Sequence, residues 1–223
     1  MDKNFFIIIL LFIQYNIIKT FNNEKIILEN EIGEIGNYTY ELWKDSDGGE
    51  TKMILGENGK FACSWGNIGN ALFRIGKRWD STQTYQEIGT IKVKYEFDFI
   101  SNSTSRYAIY GWTKQPLVEF YILENWEGYV PNTKKFASLF VDGSNFDMYR
   151  VDLNSFDSYN YMIQLWSIRT KKRKKGTVSV NEHFKTWEKF GYKLGKMYEV
   201  TFCVEGYKDF GNANITKNEI IIE

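Results

Sequence analysis

Beyond residue 30 the chain alternates between short runs of large apolar or aromatic residues and clusters of Gly, Asn and Asp. Runs of this length and makeup, bounded by turn residues, predict strands. The pattern places them at Tyr38 to Trp43, Gly59 to Trp65, Ala71 to Ile75, Ile91 to Ile100, Arg106 to Trp112 and Leu117 to Asn125. Further strands are expected at Lys135 to Val141, Phe146 to Val151, Tyr161 to Arg169, Gly176 to Asn181, Met197 to Tyr207 and Ile215 to Ile222. Asp47-Gly48-Gly49, Glu57-Asn58-Gly59 and Asp142-Gly143 are turn signals between them. Many short strands at this spacing predict an all-β antiparallel sandwich or barrel. One segment has a helical period: Phe184 and Trp187 stand three apart, Asn181 is a candidate cap and Gly191 a stop.

Two carboxylates break this pattern. Glu119 interrupts Pro116-Leu-Val-Glu-Phe-Tyr-Ile-Leu-Glu-Asn-Trp126, and Glu205 interrupts Phe202-Cys-Val-Glu-Gly-Tyr207. A charge inside an apolar strand faces burial, which is costly unless the charge is paired or used. Two of them on separate strands suggest an acid/base pair. Strand alternation then sorts their neighbours by face. Glu119 shares a face with Leu117, Tyr121 and Leu123, and Glu205 with Cys203 and Tyr207. Tyr110 goes with Trp112, Gln164 with Trp166, and Asn67 with Trp65 and Cys63. Glu124 falls opposite Glu119, which favours a structural or surface role. If the five faces line one concave sheet, amides and rings surround two carboxylates. That inventory suits a neutral, hydroxyl-rich polymer.

Composition narrows the partners. Lys+Arg and Asp+Glu both number 28 in 223 residues, which argues against nucleic acid or an anionic membrane surface. The run Lys171-Lys-Arg-Lys-Lys175 is then best taken as a solvated hairpin tip. Aromatics make up 17% of the chain, an excess that suits both strands and platforms for sugar rings. His183 is the single histidine, so a multi-histidine metal site is excluded; a helix-surface or packing role is expected. Cys63 and Cys203 are either a disulfide or two core thiols. Met1 to Ile13 has one lysine followed by a short apolar run. This fits a secretory signal peptide over residues 1–20, with an uncleaved signal anchor as the alternative.

The same residues resemble the glycoside hydrolase family 11 endo-1,4-β-xylanases. The matching segments run in order from about residue 33 onward: Gly36-Asn-Tyr-Thr-Tyr-Glu-Leu-Trp43, Phe61-Ala-Cys-Ser-Trp-Gly-Asn67, Tyr110-Gly-Trp-Thr-Lys-Gln-Pro-Leu-Val-Glu119 through Trp126, Gln164-Leu-Trp-Ser-Ile-Arg169, Gly176 through Trp187, and Val204-Glu-Gly-Tyr207. The resemblance implies a β-jelly roll of two curved antiparallel sheets with one helix and a long cleft. That catalytic domain spans 33–223, after an N-terminal extension at 21–32. It implies Glu119 as nucleophile and Glu205 as acid/base. Trp43, Tyr110, Trp112, Tyr121, Gln164 and Trp166 would be substrate-binding. Asn67 would neighbour the acid/base, where Asn rather than Asp goes with optima near neutrality. Xylan or xylo-oligosaccharide is the implied substrate, for a secreted monomer with no metal or other cofactor.

The implied chemistry is a double displacement. In a retaining glycosidase the two carboxyls lie about 5–5.5 Å apart. Glu119 attacks the anomeric carbon while Glu205 protonates the departing oxygen. Glu205 then takes a proton from the water that releases the sugar. The family's thumb hairpin, with its Arg and Pro-Ser-Ile turn, corresponds here to Tyr149 through Gln164. That stretch is several residues shorter, lacks proline and glycine, and holds only Arg150. Reduced activity is therefore expected. The alternative function is a non-catalytic jelly roll that binds xylan.

Overall fold

The computed structural model describes residues 25–46, 48–153 and 162–223. The expected signal peptide and part of the expected thumb lie outside the described residues. The strands are β1 (Lys25–Ile27), β2 (Glu31–Ile35), β3 (Tyr38–Lys44), β4 (Glu50–Leu55), β5 (Phe61–Gly66), β6 (Ile68–Arg78), β7 (Ile91–Ser101) and β8 (Ser105–Lys114). They continue with β9 (Val118–Glu127), β10 (Ala137–Val141), β11 (Ser144–Leu153), β12 (Met162–Arg169), β13 (Lys175–Ser179), β14 (Lys196–Lys208) and β15 (Gly211–Ile222). Among the described residues they form a six-stranded sheet, β1-β4-β5-β15-β7-β13, and a nine-stranded sheet, β10-β11-β12-β9-β8-β14-β6-β3-β2. The expected jelly roll of two packed sheets is what forms.

One pairing departs from the antiparallel expectation. β12 pairs with β9 in parallel, Gln164 opposite Glu119 and Trp166 opposite Tyr121. β10, β11 and β12 form an antiparallel meander whose first and last strands run the same way as β9, so β12 lies alongside β9 in the same direction. The domain also begins earlier than residue 33. β1 joins the smaller sheet beside β4, and β2 closes the larger sheet beside β3. Neither β1, β2 nor β4 has the strong alternation that marks the other strands.

Aromatic rings weld the sheets together. From the small sheet, Phe97 stacks on Tyr107 of the large sheet at 4.9 Å, Phe99 on Tyr107 at 4.2 Å, and Tyr95 meets Phe202 at 5.2 Å. Side chains of two inner faces interdigitating in this way make the core of a sandwich. The helix, α2 (Val180–Lys189), follows the single-turn α1 (Tyr85–Ile88) in chain order. α2 buries Phe184 and Trp187 against Phe120 of β9, at 4.9 and 6.1 Å between ring centres. It therefore backs the strand that bears Glu119.

Two sequence expectations change here, those for Asn181 and the Lys171–Lys175 run, and His183 takes the packing role of the two expected for it. Asn181 does not cap the helix, which starts at Val180. Its amide instead accepts from the Ile91 N–H and donates to the Gly89 carbonyl, both at 2.8 Å. His183 is not on the surface. It is fully buried, edge-on to Phe146 at 4.7 Å, and neither ring nitrogen has a hydrogen-bond partner. Burial first, then the charges of Arg169 and Arg173, push its pKa down to about 3. The Lys171–Lys175 run is not wholly solvated. Arg173 turns inward and, with the Tyr95 hydroxyl, donates to the buried Glu124 on the core face of β9. Glu124 is thus structural, as alternation implied. Cys63 and Cys203 are both buried free thiols, on different sheets.

Candidate active site

Six adjacent strands of the larger sheet build a cleft of about 530 Å³, from β12 on one side to β3 on the other. Alternation within each strand sends one set of side chains into the core and the other into this cleft. β9 contributes Glu119 and Tyr121, β8 contributes Arg106, Tyr110 and Trp112, and β14 contributes Glu205 and Tyr207. Asn70, Leu72 and Arg74 enter from β6, Glu41 and Trp43 from β3, and Gln164 from β12. Glu119 and Glu205 stand on strands separated only by β8, where their cross-strand partners are Trp112 and Arg106.

Glu119 is buried yet fully served. Its Oε1 accepts from the Tyr110 hydroxyl at 2.7 Å and the Tyr121 hydroxyl at 3.2 Å, and its Oε2 from the Gln164 amide at 2.6 Å. Burial pushes its pKa above the usual carboxylate value. The three donors work against that shift, and the charge of Glu205 adds to it. The donors are themselves fixed. Trp112 Nε1 donates to the Tyr110 hydroxyl at 2.6 Å, and Trp166 Nε1 donates to Gln164 Oε1 at 3.1 Å, which orients the amide so that its NH₂ faces Glu119.

Glu205 is equally enclosed. Its Oε1 accepts from Tyr207 at 2.7 Å and from Asn70 at 3.1 Å, and its Oε2 from Arg106 at 2.7 Å. Burial and the Glu205 charge together push the Tyr207 hydroxyl far above its ordinary pKa, so it stays protonated as a donor. Burial likewise raises Tyr110 and Tyr121.

The structure brings Glu119, Glu205, Trp43, Tyr110, Trp112, Tyr121 and Gln164 into one cleft. Two expectations fail. Asn67 is exposed, in a left-handed conformation (φ 51°) at the turn from β5 to β6. Those strands belong to different sheets, so the β5 alternation cannot be extended through the turn. Cys63 and Trp65 accordingly face the core, not the cleft. The neighbour of Glu205 is Asn70, three residues on. Trp166 is on the cleft side but 1% exposed, covered by Tyr121, and cannot stack on a ligand. Alternation within β6 alone would have found Asn70. Arg106 had a louder signal, a lone charge before the apolar run Tyr107 to Tyr110, and sequence reasoning missed it.

Residues 35–216 match the sequence profile of Glycosyl hydrolases family 11. The chain belongs to that family. It is 49% identical over 202 residues to endo-1,4-beta-xylanase A of Thermoclostridium stercorarium, covering 89% of this chain and 31% of that protein. To endo-1,4-beta-xylanase A of Bacillus pumilus it is 44% identical over 199 residues, covering 88% of this chain and 86% of that protein. The chain thus spans under a third of the Thermoclostridium relative and most of the Bacillus one. The solved family 11 xylanase from Neocallimastix patriciarum superposes with a TM-score of 0.81 at 27% identity, covering 90% of this chain and all of that one. ENZbleach xylanase superposes with a TM-score of 0.84 at 26% identity, over 91% and 89% of the two chains.

Proposed function

We propose that this chain is a retaining endo-1,4-β-xylanase, secreted to reach its polymeric substrate. The observation that carries this is the pair of buried carboxylates on β9 and β14. Each is ringed by donors and both open on one cleft, in a chain whose relatives bear that name. Glu119 is the nucleophile. Its three donors hold the carboxylate in one orientation, so little reorganisation is needed when its oxygen bonds the anomeric carbon. Glu205 faces the same space from the other side and gives its proton to the departing oxygen. In the second step water attacks the anomeric carbon, its proton passes to Glu205, and the Glu119 carboxylate is released. Trp43, 40% exposed on the cleft wall, offers a flat face for a xylose ring.

A reducing-sugar assay on xylan tests this with wild type, Glu119→Gln and Glu205→Gln. Release by wild type and loss of about 10³-fold or more in each variant is expected for removal of a catalytic carboxylate. Equal rates in all three, or xylan binding with no new reducing ends, would refute it. Sequencing the N-terminus of protein recovered from culture medium tests secretion.

A further inference from the structure

Among the described residues, Arg106 is the one cation that touches either carboxylate of the pair. It sits directly across from Glu205 in the β8–β14 ladder. Its NH1 donates to Glu205 Oε2 at 2.7 Å and to the Tyr207 hydroxyl at 2.6 Å. The guanidinium lies between two rings, 5.0 Å from the centre of Trp166 and 4.9 Å from that of Tyr207. At 9% exposure it has no room to swing into solvent. Burial works against its charge, but the Glu205 carboxylate and its hydrogen bond, with the Tyr207 and Tyr121 hydroxyls, together outweigh that, so Arg106 stays cationic.

The other groups facing Glu205 are the Asn70 amide from β6, the Tyr207 hydroxyl and Cys203 thiol on its own strand, and the Tyr121 hydroxyl and Glu119 carboxylate from β9; burial keeps the Tyr121 hydroxyl and the Cys203 thiol protonated and neutral. Asn70 and Tyr207 bear no charge. Glu119 bears a negative charge like that of Glu205 itself and loses it in the covalent intermediate. Arg106 alone is a fixed, permanent counter-ion, and its attraction is present only while Glu205 is a carboxylate. The acid step requires Glu205 to arrive carrying a proton, and so without that attraction.

We propose that Arg106 is a positioning residue that sets the pH range over which Glu205 serves as the acid, and so limits how far bonds with poor leaving groups are cut as pH rises. This rests on the double-displacement reading above. It separates substrates by leaving group. A phenolate or a sugar oxygen needs the proton of Glu205 as the C–O bond breaks. A 2,4-dinitrophenolate departs as the anion and needs none. Only the first kind of substrate senses Arg106.

The test is the pH profile of kcat/KM for phenyl and 2,4-dinitrophenyl β-xylobiosides. Wild type is compared with Arg106→Lys, which keeps the charge, and with Arg106→Gln and Arg106→Met. The Met variant also keeps the packing between the two rings. With the phenyl substrate, the alkaline limb should move up by about 1 pH unit in the Gln and Met variants, the usual effect of losing one close opposite charge. It should stay near wild type in Arg106→Lys. With the dinitrophenyl substrate no variant should shift it. An unmoved phenyl limb in Gln or Met, with both substrates slowed alike, would reduce Arg106 to a packing residue and overturn the proposal. If wild type cleaves neither xyloside nor xylan, the functional reading itself fails.

Discussion

Trp166 lies face to face on Tyr121, with ring centres 3.8 Å apart and planes 2° from parallel. The two residues are register partners in the parallel β12–β9 pair. Trp166 thus touches the surroundings of Glu119 twice, through the Tyr121 ring and through its Nε1 bond to Gln164. Trp166→Phe keeps a ring against Tyr121 and removes the donor to Gln164. It should cost about tenfold in kcat on xylan, near the worth of one hydrogen bond, with KM little changed. Trp166→Ala should also destabilise the fold by about 3–5 kcal/mol, visible in denaturant unfolding.

Asn70 and Asn67 should behave oppositely. Asn70→Ala removes a donor to Glu205 and should lower kcat/KM on xylan by about tenfold. Asn67→Gly replaces an exposed residue whose backbone is already left-handed and should leave kinetics and stability near wild type. Equal losses in the two variants would contradict the assignment of Asn70.

Trp43 is exposed on the cleft wall, and under the proposed function its face meets the ligand rather than the core. Trp43→Ala should raise KM for xylan by about 2- to 10-fold, the range for one ring stacking contact. The melting temperature should hardly move.

His183 predicts an acid-labile fold. Its folded pKa of about 3 is depressed below the ordinary 6.5, so the unfolded chain binds the extra proton between those values. Stability is therefore full above pH 6.5 and is lost as pH falls from there towards 3. Going from pH 7 to pH 5 should cost about 2 kcal/mol through this group. His183→Leu removes both the titration and two unpartnered nitrogens. Its loss of stability over the same interval, followed by urea unfolding, should be smaller by that amount.

Much of this was legible in the alternation of single strands. Within β9, period two put Glu119 and Tyr121 on one face and Glu124 on the other, and the structure agrees because the strand stays regular from Val118 to Leu123. Three things lay beyond that signal. Asn67 sits at a turn that changes sheets, where a left-handed residue resets the phase. Trp166 shows that period gives a side chain's face but not its depth, since Tyr121 of another strand covers it. Arg106 becomes the partner of Glu205 through cross-strand register between β8 and β14, a relation between segments 99 residues apart in the chain. The Asn181 cap failed for a similar reason: tertiary partners, the Ile91 amide and the Gly89 carbonyl, claimed its side chain.

The parallel meeting of β12 and β9 makes the clamp on Glu119 independent of loop design. Gln164 is aligned to Glu119 by six successive register pairs, Ile163 to Ile168, and by β11 on its other side. The connection between β11 and β12 can therefore diverge in length and sequence while the amide stays in place. Loops of other lengths grafted there should leave the hydrogen bond from Gln164 to Glu119 in place.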